Sequence, residues 1–185
     1  MSKALILIDI QEDYFEGGAC ELVNPIQASL EAKKLLECFR KNDLPIFHIQ
    51  HINVVQPNVN YLLPNTYGIN IHKNVQPLSS EKIIEKNFPN SFLQTNLENE
   101  LDKLNIKDVV ICGMMSHMCV DATTRAAFDF GFSCTLAHDA CTTKNIEFND
   151  NVILQKDVHH SFMSALSTVY AQVQTVDDII SEFRL

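Results

Sequence analysis

The sequence predicts an α/β protein in which a parallel β-sheet is covered by helices on both faces. Three observations carry this. Short apolar runs alternate along the chain with stretches of helical period. The runs at 3–8 and 108–113 contain little internal polar alternation, the pattern of strands buried on both faces. Glycine is scarce, and its five positions (17, 18, 68, 113 and 131) punctuate the pattern. Strands and helices in such alternation feed a parallel sheet through crossover connections.

The elements follow in order. The first strand is Lys3 to Ile8 and stops at Asp9. A helix begins near Asn24-Pro25, a cap residue followed by proline at the first helical position. Ala28, Ala32, Leu35, Leu36 and Phe39 give it one apolar face, and Asn42-Asp43 ends it. Pro45 leads into a second strand, Ile46 to Ile52. Residues 53–80 hold Pro57, Pro64, Gly68 and Pro77 with many asparagines and no period, which predicts a long loop acting as a lid or subunit contact. A short strand, Lys82 to Glu85, ends at Lys86. Ser91-x-x-Gln94 reads as a capping box for a helix with Leu93, Leu97, Leu101 and Leu104 on one face. The fourth strand is Asp108 to Gly113. Ser116 is the expected N-cap of a helix running to Phe130, with Gly131 as its stop. Cys134 to Ala137 is the fifth strand. A helix near Lys156 to Ser167, a strand at Ala171 to Thr175 and a helix from Val176 to Phe183 complete the pattern.

The 185 residues amount to about one domain, long enough for a sizeable core without disulfide staples. Apolar residues make up 46% and charged residues 20%, which argues against disorder. The net charge of −9 would repel phosphate backbones, so nucleic acid is not an expected partner. The longest apolar run, Val109 to Met115, is far short of the roughly 20 residues a membrane span needs. Asp9 interrupts the apolar stretch from Ala4 too early for a secretory signal. A cytoplasmic, membrane-free protein is the expectation. None of the six cysteines forms a C-x-x-C pair, so no zinc ribbon or thioredoxin motif is indicated, and free thiols are expected.

In an open parallel sheet, ligands bind beyond the carboxyl ends of the strands. Asp9, Lys86 and Cys119 fall at that edge. A thiolate is a nucleophile, and a helix N-terminus or a lysine lowers a thiol's pKa. The same helical turn offers backbone N–H groups to an oxyanion. A carboxylate in reach can take the thiol proton and return it to a leaving group. Each residue also has an ordinary reading: a packed cysteine, a turn-capping aspartate, a solvated lysine.

Three segments stand out: Leu7-Ile8-Asp9-Ile10-Gln11-Glu12-Asp13-Tyr14-Phe15, Glu85-Lys86-Asn87-Phe88-Pro89-Asn90-Ser91-Phe92, and the stretch from Gly113 to Ala127 around Ser116-His117-Met118-Cys119-Val120. Together they resemble one family, the isochorismatase-like cysteine hydrolases. The resemblance spans nearly the whole chain. It implies a three-layer αβα Rossmann-like fold with a six-stranded parallel sheet. It implies an Asp–Lys–Cys triad of Asp9, Lys86 and Cys119, and a cis peptide at Met114-Met115 that aims the Met115 N–H, with that of Cys119, at the oxyanion. The implied chemistry is hydrolysis of a small-molecule amide or related C–N bond through a thioester, with no cofactor, in a homodimer or larger homo-oligomer.

Phe15, Phe88 and Phe92 flank these motifs and are pocket-wall candidates, although core packing accounts for such phenylalanines equally well. His117 either lines the pocket mouth or sits on the first helical turn. Nicotinamidases of the family carry an Asp-x-His metal motif after the second strand. Here the stretch is His48-Ile49-Gln50-His51-Ile52-Asn53, with no aspartate. His51 and Asn53 lack an evident third ligand, so no metal is expected. Asp139 and the pair His159-His160 carry no motif. The alternatives to an amidohydrolase are a thiol redox sensor, a ligand-binding protein with a relic site, and a nicotinamidase- or isochorismatase-type activity.

Overall fold

The computed structural model describes residues 3–184. Six parallel strands form one sheet: β1 (Lys3–Ile8), β2 (Ile46–His51), β3 (Lys82–Lys86), β4 (Asp108–Met114), β5 (Ser133–Thr142) and β8 (Gln172–Gln174). Their spatial order is β3-β2-β1-β4-β5-β8. Between β5 and β8 in sequence, β6 (Ile146–Phe148) and β7 (Asn151–Ile153) form a separate antiparallel hairpin. The helices are α1 (Pro25–Lys41), α2 (Leu97–Lys103), α3 (Asp121–Asp129), α4 (Gln155–Val169) and α5 (Val176–Ser181). Helix α1 packs with α5, and α3 packs with α4, against the sheet. Among the described residues no helix is long and apolar enough to cross a membrane.

Strand β1 lies at the centre, and from Ala4 to Ile8 it is buried. Chain order reverses at β1, with β2 on one side and β4 on the other. This switch point leaves a crevice beyond the carboxyl ends of the strands. Gly113 makes the close approach possible. It sits at φ +131°, and a Cβ there would lie 2.0 Å from the Ile8 carbonyl oxygen.

Several sequence expectations need correction. The Ser91–Gln94 capping box does not form. Gln94 adopts φ +57°, which no helix interior tolerates, and the Ser91 hydroxyl meets Thr123 Oγ1 at 2.8 Å. The helix therefore starts at Leu97. Leu97 and Leu101 are buried while Leu93 and Leu104 are exposed. Ser116 caps nothing, because it lies inside a π-helical turn, Ser116–Val120, that precedes α3. Its hydroxyl instead meets His159 Nδ1 at 2.8 Å. Asn24 stands at the start of α1 but makes no side-chain cap bond; its left-handed backbone turns the chain into the helix. Strand β5 continues well beyond Ala137, and Asp139 Oδ1 accepts the Val176 N–H at the start of α5.

Candidate active site

Three strand ends and one helical turn build the site. Asp9 follows β1 at φ +51°, a left-handed conformation that aspartate tolerates better than most residues. Its backbone N–H is held by the Ile49 carbonyl at 3.1 Å. Lys86 ends β3 and pairs in register with His51, the last residue of β2. Cys119 lies in the π turn after β4, entered through the cis Met114-Met115 peptide. Val120 N–H bonds back to the Met115 carbonyl at 3.2 Å, which closes the wide turn.

The side chains converge. Lys86 Nζ lies 2.9 Å from Asp9 Oδ2, both fully buried. Lys86 also donates to the Pro89 carbonyl at 2.8 Å. His51 Nδ1 stands 3.6 Å from Cys119 Sγ and 3.7 Å from Asp9 Oδ2. Apart from the Lys86 ion pair, neither Asp9 oxygen has a well-aligned hydrogen-bond donor. A buried carboxylate left so poorly satisfied has acceptor capacity to spare for a group brought beside it.

Burial alone would raise the Asp9 pKa, but the Lys86 charge, helped by His51, holds it below the ordinary carboxylate value. Lys86 shows the mirror image: burial opposes its charge, and Asp9 outweighs burial to raise it. The Cys119 thiol departs from expectation. Burial and then the Asp9 charge push it above the ordinary thiol value, and Lys86 pulls down without prevailing. Burial and the Asp9 charge thus favour the neutral thiol beside the Asp9–Lys86 ion pair.

A narrow cleft opens onto Cys119. It is lined by Tyr14, His51, Asn53, Tyr61, Leu62 and Met115, with further contacts from Gln56, Val59, Pro89 and Met118. It leaves about 20 Å³ at its base, room for about one water molecule. The expected lid, residues 53–80, supplies one wall as a strapped loop. Asp13 accepts the N–H groups of Leu62 (2.5 Å) and Ala19 (3.1 Å). Gly68 passes so close that a Cβ would strike the Asp13 carboxylate. Asn53 accepts the Gln56 N–H at 3.1 Å and donates to the Gln56 and Val59 carbonyls at 3.3 Å. Asn53 is thus a loop staple. Its side chain is committed to backbone and offers little to a metal.

The proposed phenylalanine walls are elsewhere. Phe15 stacks on His72 at 3.7 Å. Phe92 packs against Phe130 and Phe132. Phe88 is half-buried and lies outside the cleft lining, although its neighbour Pro89 belongs to it. His117 Nδ1 meets Thr143 Oγ1 at 2.6 Å and its ring meets Phe162 edge-on; Met118 occupies the cleft position instead. Aromatic side chains do line the cleft, but they are Tyr14 and Tyr61. Tyr14 was within reach of a sequence reading, five residues after Asp9. Tyr61 sits in the aperiodic loop and left no signal.

Asp9, His51 and Cys119 bring their donor atoms within 4.8 Å of one another, a set that can hold a metal ion. The Lys86 ammonium already sits on the Asp9 carboxylate, and its charge opposes a second cation there. The arrangement suits proton transfer better than metal ligation.

Comparison with known proteins agrees with this architecture. Residues 3–177 match the isochorismatase domain family. The uncharacterised isochorismatase family protein YddQ of Bacillus subtilis (strain 168) is 45% identical over 178 residues, covering 96% of this chain and 98% of the relative. A crystal structure from Oleispira antarctica, described as that of an isochorismatase hydrolase, superposes with a TM-score of 0.93 at 42% identity, covering 97% of this chain and 96% of the other. Nicotinamidase 3 of Arabidopsis thaliana is 27% identical over 163 residues, 82% of this chain and 78% of the relative. The chain belongs to the isochorismatase family and has its hydrolase fold.

Proposed function

We propose that this protein is a cysteine hydrolase that cleaves the C–N bond of a small, uncharged amide or carbamoyl compound through a thioester. The convergence of Asp9, Lys86 and Cys119 beneath one cleft carries the reading. Asp9 takes the Cys119 proton as sulfur attacks the carbonyl carbon. The Met115 and Cys119 N–H groups are the donors for the developing oxyanion. Asp9 then protonates the departing amine as the C–N bond breaks. Water cleaves the thioester, releasing the acid and restoring the thiol. Lys86 keeps Asp9 ionised and in place.

Two features support the substrate class. The cleft lining contains no arginine or lysine, so an anionic substrate gains no counter-charge from it. Its wall is mixed, with tyrosines beside Val59, Leu62 and Met115. The limited room favours small molecules. Redox sensing is less well supported, because among the described residues no second cysteine lines the cleft to resolve an oxidised Cys119.

The test is a panel of small amides and carbamoyl compounds assayed for released amine. At least one should turn over with the native protein and not with Cys119→Ala. A panel on which the two proteins behave alike would remove the reading.

A further inference from the structure

We propose that His51 is a fourth catalytic residue, the base that activates water against the thioester; this rests on the hydrolase reading above. In the second half-reaction Asp9, ionised again once the amine has left, is the triad's one base for water. Asp9 can deprotonate a thiol, but the Lys86 ion pair weakens it as a base, and water is a far weaker acid than a thiol. His51 Nδ1 faces the sulfur directly, at 3.6 Å. The cleft that His51 lines has room for about one water molecule.

The geometry is built rather than incidental. Gln11, wholly buried, grips the backbone of His51 with both ends of its amide. Its Oε1 accepts the His51 N–H at 2.8 Å and its Nε2 donates to the His51 carbonyl at 2.9 Å. The same Nε2 donates to Ile69 at 2.8 Å, which ties the strapped loop to this point. Gln11 is the positioning residue for His51. The register pairing with Lys86 fixes the strand from the other side.

The step balances. Nδ1 takes a proton from water as its oxygen bonds to the acyl carbon. The C–S bond breaks, and the proton passes from Nδ1 to sulfur. The products are a carboxylic acid and the resting thiol, with His51 neutral again. Asp9 Oδ2 and Cys119 Sγ lie within 3.7 Å of the imidazole, Lys86 is the register partner of His51 on β3, and Tyr14 and Tyr61 line the same cleft.

The probe is 4-nitrophenyl acetate, with rapid quenching and intact-protein mass spectrometry. The native protein should release nitrophenolate continuously, carrying little acetyl adduct. His51→Gln should give a burst of about one equivalent and then a steady rate lower by on the order of 100-fold. The acetyl group should accumulate on Cys119. The burst itself reports an intact site, and His51→Asn serves where the glutamine variant does not fold. Native steady-state turnover in both variants overturns the assignment. So does a joint loss of burst and steady rate without adduct in a folded variant, which marks His51 as needed for acylation or packing alone. If Cys119→Ala releases nitrophenolate as fast as the native protein, the hydrolase reading fails first and this assignment falls with it.

Discussion

Strand β2 carries one histidine into each of two ionic clusters. His48 meets Glu81, which also holds Arg40; His51 meets Asp9, Lys86 and Cys119. The Glu81 carboxylate is saturated. Arg40 binds it through Nε (2.7 Å) and Nη2 (2.8 Å), His48 Nε2 approaches to 2.9 Å, and the Leu78 N–H donates at 2.9 Å. Despite burial, these partners lower its pKa to about 2. The Asp9 carboxylate is at least as deeply buried but has only its ion pair to Lys86 and the nearby imidazole and thiol. A larger groove, about 360 Å³, lies beside the Glu81 cluster but presents no thiol. Cavity size thus fails to separate the two clusters; unmet hydrogen-bonding capacity beside a thiol does.

Activity should divide them most sharply. Cys119→Ala should abolish turnover of any amide found in the panel, and Asp9→Asn should reduce it by on the order of 1,000-fold or more. Glu81→Gln should leave turnover within about twofold of native. Equal damage from Glu81→Gln would dissolve the distinction.

Stability should follow the pairing. Asp9→Asn or Lys86→Met alone leaves an uncompensated buried group, at a cost of about 3–5 kcal/mol. The double variant removes both charges and should recover most of that loss in denaturant unfolding. A double variant as unstable as the sum of its parents would contradict the pairing.

Acid unfolding should sharpen the comparison further. Glu81 and Asp9 are both depressed in the folded state, so each contributes stability above its unfolded pKa of about 4 and loses it as pH falls. For Glu81 the loss runs from about pH 4 down to about 2. Glu81→Gln should flatten the stability curve in that window and leave the curve near neutrality parallel to native. A window that survives the substitution would assign it to other carboxylates.

The smallest effect is expected at the strap. Asn53→Ala frees the Gln56–Val59 turn, and KM should change several-fold while kcat holds within about twofold. A collapse of kcat instead would place Asn53 in the chemistry.

Much of the candidate site is legible because it is spelled in contiguous motifs. Asp9 follows β1, Lys86 ends β3, Cys119 lies in the turn after β4, and the resemblance implies the cis Met114-Met115 peptide that the structure has. The strands β1 and β4 were readable from their unbroken apolar runs. The Ser91–Gln94 box failed because tertiary contact with Thr123 captured the serine hydroxyl. The β6–β7 hairpin escaped because three-residue strands carry too little alternation to register. The sequence shows His51 as a donor beside Asn53, but proximity in sequence says nothing of Lys86, in register across the sheet. Helix position and a lysine argue for a lowered Cys119 pKa; burial, which only the packed structure reveals, pushes it the other way.

The most direct measurement is the rate at which iodoacetamide, itself a small uncharged amide, alkylates Cys119 in native protein and in Asp9→Asn, followed by peptide mass mapping at neutral pH. If Asp9 removes the thiol proton, the asparagine variant should be alkylated on the order of 100-fold more slowly. If Asp9 only repels negative charge on sulfur, its removal eases ionisation, and Asp9→Asn will react as fast as native or faster, which contradicts the proposed role of the carboxylate.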